Sequence, residues 1–309
     1  MMVDILIPTY KPGREFIELL KRLKGQTVPI QKIIIMNTEE AYWDRLMYEN
    51  AELKQFHNLE VHHLSQNEFD HGGTRHKGML YSKAEVCICM TQDAVPADEH
   101  LIEKLVVPLE DKQIAVSYAR QLPKADAGPL EQFSRSFNYP DASKRKTAAD
   151  IETMGIKAFF CSDVCAAYNR ETYMALGGFI RHTIFNEDMI FASGALKAGY
   201  QVYYAADAKV LHSHEYGFMQ QLRRNFDLGV SQADHPEVFA GISSEKEGKN
   251  MILTACRHFV SIKKTFEIMP LFWQSGAKYI GYLLGKHYRK LPKFVVARIT
   301  MNRAYWDKN

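Results

Sequence analysis

Val86-Cys87-Ile88-Cys89-Met90-Thr91-Gln92-Asp93-Ala94-Val95-Pro96 is the stretch that sets the reading of this chain. A short, β-prone apolar run that stops at a carboxylate and then a proline is a buried strand whose end opens into a loop. Asp93 stands at the carboxyl end of that strand. In open α/β sheets ligands collect in the crevice beyond such ends, so an acid there is placed to hold a divalent cation and a phosphorylated ligand. On the residue alone, capping the helix that begins near Asp98 or closing a turn competes with that role.

Upstream of this strand the pattern alternates. Val3 to Ile7 is an apolar run halted by Pro8, and Phe16, Leu19, Leu20 and Leu23 then repeat at the spacing of one buried helix face. Lys32 to Met36 is a second strand ending at Asn37-Thr38-Glu39, Ala41 to Phe56 fits a helix, and Leu59 to Leu64 is a weaker third strand. Strand-helix alternation implies a parallel sheet. Next comes Asn67-Glu68-Phe69-Asp70-His71-Gly72-Gly73-Thr74-Arg75-His76-Lys77-Gly78. Its glycine pair at a helix start, with Arg75 and Lys77, is either an anion site made of free N–H groups or only a turn.

Downstream of Asp93, a helix through Leu101, Leu105 and Leu109 leads to a strand at Ile114 to Tyr118. From Arg120 to about Lys157 the pattern dissolves, apart from a helix at Leu130 to Phe137, into polar text that reads as a functional loop or an insertion. Ala158 to Ala167 is small and apolar around Asp163, which favours tight packing over a sugar contact. Arg170 to Leu176 is a short helix stopped by Gly177-Gly178. Asn186-Glu187-Asp188 opens a helix that runs to Lys197; its acids either cap that helix or supply a general base. Val202 to Ala206 and Lys209 to Leu211 are strand-like and end at His212-Ser213-His214, whose two imidazoles share a face. Beyond Tyr216 the text is helical: Phe218 to Leu228, Asn250 to Ile262, Pro270 to Gly285 and Lys293 to Ile299.

The 309 residues, 46% hydrophobic and 24% charged, suit a soluble globular chain of one or two domains. A net charge of +3 gives no reason to invoke nucleic acid. The charge is uneven, because no acid intervenes between Glu267 and Asp307 while seven lysines and arginines do. Such a tail meets an anionic membrane surface or a polyanion, or is simply solvated. Five cysteines, two of them alternating in a buried strand, read as packing in a reducing cytosol, and no zinc pattern is present. The N-terminus carries no secretion signal and no apolar run is long enough to span a bilayer, although Pro270 to Gly285 suits a helix lying on one.

Taken in order, the strand-Pro-Thr-Tyr, Asn-Thr-Glu, His-Gly-Gly-Thr-Arg, Thr-Gln-Asp-Ala-Val-Pro, Asn-Glu-Asp and His-Ser-His motifs make the chain similar to family 2 glycosyltransferases. More narrowly it resembles their bacterial rhamnosyltransferase branch, through Phe69 to Arg75 and Gln92-Asp93-Ala94. The resemblance implies a GT-A fold, α/β with a mostly parallel central sheet, over residues 1–215, and a helical C-terminal region over 216–309. It implies nucleotide-sugar contacts at Pro8, Thr9, Tyr10, Asn37, Glu39, Arg75, Gln92 and Asp93. It makes Asp93 a ligand of Mg²⁺ or Mn²⁺, with His212 completing the shell and His214 in reserve. It makes Asp188 the catalytic base, with Glu187 beside it. Thr91 stands where the family has the first acid of its Asp-x-Asp motif. The activity implied is inverting transfer of a sugar, L-rhamnose from dTDP-rhamnose or a UDP sugar, to a saccharide acceptor in cell-surface polysaccharide synthesis. That expectation places the protein in the cytoplasm, peripherally on the inner face of the membrane, where a lipid-linked saccharide is extended. A nucleotidyltransferase would carry its glycine-rich segment after the first strand, and a non-catalytic binder would have no use for Glu187-Asp188.

Overall fold

The computed structural model describes residues 1–241 and 244–307. It opens with β1 (Val3–Tyr10), α1 (Arg14–Lys24), β2 (Ile30–Thr38), α2 (Glu40–Glu49), β3 (Leu59–Leu64), α3 (His71–Tyr81) and β4 (Val86–Met90). β3, β2, β1 and β4 are neighbours in that order and run parallel, as the alternation requires. Pro8 does not halt β1, which pairs with β2 as far as Tyr10 but with β4 only from Val3 to Leu6. Where the proline falls, that side of the strand has no neighbour needing its N–H, the one place a sheet tolerates proline. The expected helix from Ala41 to Phe56 is interrupted: α2 stops at Glu49, Asn50 Nδ2 donates to the Leu46 carbonyl at 2.9 Å, and a 3₁₀ turn follows over Ala51–Gln55.

The second half of the sheet comprises β5 (Val95–Pro96), β6 (Ile114–Leu122), β7 (Lys144–Lys146), β8 (Cys165–Asn169) and β9 (Gln201–Leu211). Between these strands lie α4 (Leu101–Val106), α5 (Pro129–Asn138), α6 (Asp150–Met154), α7 (Ile156–Phe159), α8 (Arg170–Ala175) and α9 (Glu187–Lys197). β8 enters antiparallel between β4 and β6, while β9 runs parallel to β6. The patternless stretch from Arg120 to Lys157 thus contains β7, which pairs with β9, and three short helices. Two expected strands merge into β9, whose residues 206–208 form a bulge opposite Ala119 and Arg120. β4 is buried along its whole length, and the core gathers Ile5, Ile7, Leu19, Ile35, Ile88 and Leu105. All five cysteines are free thiols.

The last elements are α10 (Phe218–Asp234), α11 (Pro236–Phe239), α12 (Ser244–Ser261), α13 (Ile268–Lys286), α14 (Lys293–Ile299) and α15 (Arg303–Trp306). Contacts divide the chain into two units. The first is Met1–Leu122, Tyr139–Thr183 and Glu187–His212, and the second is Pro123–Asn138, Ile184–Asn186 and Ser213–Asn309. In the second unit α10 and α13 cross at glycines: a Cβ on Gly281 would lie 2.1 Å from the Leu222 carbonyl oxygen, and one on Gly285 would lie 2.1 Å from that of Phe226. Only glycine lets two helix backbones come so close. α5 joins this unit through Phe133, which packs with Ala255, Phe259 and Leu271. Among the described residues no helix is long and apolar enough to cross a membrane.

Candidate active site

After Asp93 the chain returns to the sheet as β5, where Val95 pairs with Leu211. That register places Asp93 and His212 together: Asp93 Oδ1 lies 3.5 Å from His212 Nε2. The orientation of the imidazole is set from behind. Gln121 Nε2 donates to Ser162 Oγ at 2.9 Å and to the Tyr139 hydroxyl, so Gln121 Oε1 is the atom left to accept from His212 Nδ1 at 3.0 Å. In the neutral ring, whose single proton Gln121 keeps on Nδ1, Nε2 offers its lone pair on the side of the Asp93 carboxylate. A lone pair and an anion facing each other, with the histidine braced by an amide oxygen, form a donor set that fits a divalent cation accepting nitrogen and oxygen, such as Mn²⁺. Asp93 and His212 would hold it. His214 belongs to the second unit, where its ring stacks with Tyr216 at 5.2 Å. Thr91, at the position of the missing acid, buries its Oγ1 without a hydrogen bond among the described residues, so an aspartate there would bury an uncompensated charge.

Ser162-Asp163-Val164 joins this end of the site to the second pair of acids. Val164 accepts from Thr91 N at 3.1 Å, Ser162 takes the Gln121 amide, and Asp163 N donates to Asp188 Oδ2 at 3.1 Å. Asp188 Oδ1 accepts from Met189 N at 2.7 Å. Burial, and next the Glu187 charge, push the Asp188 pKa up to about 7, against the two backbone donors and Arg75. The Asp188 side chain is nonetheless only half-buried, whereas Glu187 is 4% exposed and faces inward. Glu187 Oε1 lies 3.0 Å from Arg75 Nη1, and Asp163 Oδ2 lies 3.4 Å from Arg75 Nε. Burial opposes the Arg75 charge, but these two carboxylates more than compensate and hold its pKa above the usual value. Burial raises the Asp163 pKa despite Arg75, and Asp163 Oδ1 accepts from the Tyr168 hydroxyl at 2.6 Å. The resemblance puts Arg75 at a diphosphate; the geometry puts it, 7% exposed, between two buried acids.

The glycine pair is not an open anion site. Asp70 Oδ1 already accepts from Gly72 N at 3.0 Å and Gly73 N at 2.8 Å, closing the start of α3. Asp70 Oδ2 lies 3.0 Å from His182 Nδ1. A Cβ on Gly72 would sit 1.9 Å from the Ile180 carbonyl oxygen, and one on Gly73 2.6 Å from that of Arg181. The glycines serve close backbone approach, so the Asp-His-Gly-Gly-Thr-Arg segment braces the loop that leads to Glu187.

The remaining sequence-assigned residues meet at the ends of β1, β2 and β4. Gln92 clamps Tyr10, accepting from its N–H at 2.9 Å and donating to its carbonyl at 3.0 Å. Thr9 Oγ1 donates to Asn37 Oδ1 at 3.1 Å, and Asn37 Nδ2 donates to the Glu39 carbonyl at 3.0 Å, so Thr9 and Asn37 are buried ties. Pro8 is half-buried beside them. Glu39, at φ 65°, turns its Oε1 to Gln66 N at 2.6 Å. Tyr10 is exposed and meets Tyr42 edge-on at 5.5 Å, with Lys11 Nζ 5.1 and 5.2 Å from the two ring centroids. Tyr42, Lys11, Gln121 and Ser162 escape a sequence reading, and Asp163 enters it only as the centre of a tightly packed run. Of these only Ser162-Asp163, two polar residues inside a small apolar run, leaves a visible signal.

Residues 4–177 match the profile of Glycosyl transferase family 2. The chain is 36% identical, over 99% of its length and 96% of the relative's, to the O-antigen chain rhamnosyltransferase RfbN of Salmonella typhimurium. It is 34% identical, over 98% of its length and 95% of the relative's, to the O-antigen chain rhamnosyltransferase WbaN of Salmonella anatum. Among solved structures, the mannosyltransferase PcManGT of Pyrobaculum calidifontis with GDP-Man and Mn²⁺ superposes with a TM-score of 0.57 at 15% identity, covering 99% of this chain and 88% of that one. TarS 1-349 of S. aureus with UDP-GlcNAc gives 0.54 at 12% identity, covering 94% and 92%.

Proposed function

The chain belongs to glycosyl transferase family 2, and on that premise we propose that it transfers L-rhamnose from dTDP-rhamnose to a hydroxyl of a lipid-linked saccharide, inverting the anomeric carbon. The two full-length O-antigen rhamnosyltransferase relatives support the sugar and the setting in polysaccharide synthesis. The observation that carries the mechanism is the Ser162–Val164 segment. Its hydrogen bonds to Gln121, Asp188 and Thr91 tie the Asp93–His212 pair and Asp188 to one end of the β4–β8 pair.

Asp188 takes the proton of the attacking acceptor hydroxyl, for which the two must come within ~2.6–3.2 Å. Its raised pKa makes it a stronger base than an ordinary carboxylate while it stays ionised in part near neutrality. Arg75, Asp163 and Glu187 hold the loop of Asp188 in place. The exposed Tyr10 and Lys11, with the half-buried Tyr42, offer rings and a cation to the nucleotide. A divalent cation held by Asp93 and His212 would supply positive charge beside the diphosphate as it leaves; the Mn²⁺ reported with PcManGT supports this reading.

The second unit supplies the membrane contact. Met269, Phe272, Trp273 and Ile280 repeat at helical spacing on α13 and are 78%, 56%, 66% and 47% exposed, with Phe266 and the exposed Lys263 and Lys264 just before them. An apolar stripe containing Trp beside lysines suits the surface of an anionic bilayer, where the lipid-linked acceptor resides.

Incubating the protein with Mn²⁺ and, separately, dTDP-rhamnose, UDP-glucose, UDP-N-acetylglucosamine and GDP-mannose tests the donor. Release of dTDP well above that of UDP or GDP is the expected result. Turnover of a UDP or GDP sugar in its place removes rhamnose from the reading.

A further inference from the structure

A cavity of about 390 Å³ lies wholly within the second unit, and none of the steps above uses it. One wall is the turn into α5, Gly128 to Ser134; another is His214 to Gly217; α13 contributes Gln274, Ser275 and Lys278. Its size falls in the ~300–1,000 Å³ range of small-molecule sites. The wall is built: Glu215 accepts from Gly128 N, and Glu131 is held by Arg135 Nε at 2.6 Å. Lys278 is half-buried, and its side chain makes no hydrogen bond among the described residues. Burial lowers its pKa, with Arg224 and Arg135 acting in the same direction and Glu131 against.

The lining chemistry narrows the ligand. Carboxylates outnumber ammonium groups, Glu131, Glu215 and Glu267 against Lys278, a balance that disfavours a diphosphate. Carboxylate and amide acceptors, the Ser275 hydroxyl and the Lys278 donor match a neutral ligand bearing many hydroxyls. Tyr216 and Phe133 add apolar ring surface for the C–H face of a pyranose.

We propose that this cavity is a saccharide subsite that grips the acceptor glycan at a sugar other than the one whose hydroxyl reacts. The proposal rests on the transferase reading and specifies where its acceptor is recognised. Binding energy collected away from the reacting centre orients the nucleophile, so losing it slows transfer without touching the donor half of the reaction.

Two measurements test it. The first compares Gln274→Ala and Tyr216→Ala with the unaltered protein, using dTDP-rhamnose and the lipid-linked oligosaccharide fraction of bacterial membranes as acceptor. Donor hydrolysis without acceptor should be unchanged, while the acceptor concentration for half-maximal transfer rises about tenfold or more, the effect of losing ~1.4 kcal/mol. Equal acceptor dependence in both variants overturns the subsite. The second is saturation-transfer NMR with the methyl glycosides of rhamnose, galactose and mannose, and with inorganic pyrophosphate as competitor. Signal from one of the glycosides that Lys278→Met with Gln274→Leu abolishes supports the subsite. No glycoside signal, or displacement by pyrophosphate, overturns it. An inactive donor half in the unaltered protein indicts the transferase reading instead, and the NMR result still decides the cavity.

Discussion

Asp188 and Glu187 are adjacent acids with opposite surroundings, and on that contrast rest the separate roles proposed for them. Glu187 is enclosed and neutralised by Arg75, while Asp188 is half-buried and accepts, among the described residues, from two backbone N–H groups. A carboxylate whose pKa lies at about 7 acts as a base only when ionised, so transfer should be lost as pH falls through that value, by about tenfold per unit below it. Asp188→Asn keeps an oxygen to accept one backbone N–H and keeps the volume, yet cannot take a proton. Turnover of this variant should fall by ~10²–10⁴ with donor binding and a cooperative melting transition retained, the second backbone N–H losing its acceptor. Its residual rate should also lose the acidic limb of the pH profile. A variant that transfers at the normal rate would move the base elsewhere.

The C-terminal helices hold together through an absence of side chains. Gly281 and Gly285 on α13 face Leu222 and Phe226 on α10, and Gly229 on α10 returns the contact, with its added Cβ only 2.4 Å from the Tyr282 carbonyl oxygen. Gly281→Val therefore forces the two backbones apart, and overpacking of this kind costs ~1–3 kcal/mol. Thermal unfolding followed by circular dichroism should show the second unit melting earlier than in the unaltered protein. The same argument covers α3 in the first unit, where Gly72 and Gly73 rest on the carbonyls of Ile180 and Arg181 while Asp70 caps the helix. A glycine pair at a helix start thus has two readings, and the presence of an internal cap decides between them.

For the molecule as a whole, the proposed membrane contact is what would join catalysis to its setting. Trp273→Ser with Phe272→Ser removes the largest exposed rings of α13 without touching the first unit. Flotation with vesicles containing anionic lipid should show weaker binding for this variant, and the charge-driven part of the unaltered protein's binding should fade at high salt. Equal flotation of the two proteins would send the acceptor to meet the enzyme in solution. Much of the architecture was legible beforehand, because periodicity and order along the chain are local properties. The parallel β3-β2-β1-β4 block follows from strand-helix alternation, and Glu187-Asp188 at a helix start follows from the text around it, whereas Asp93, expected at the end of its strand, lies in the turn between β4 and β5. Contacts between residues far apart in sequence were not legible, since isolated polar residues inside apolar runs carry no direction. The antiparallel insertion of β8, the turning of His212 by Gln121, the enclosure of Arg75 by Glu187 and Asp163, and the hydrogen bonds through which Ser162 to Val164 gather the site were decided only when the chain folded back on itself.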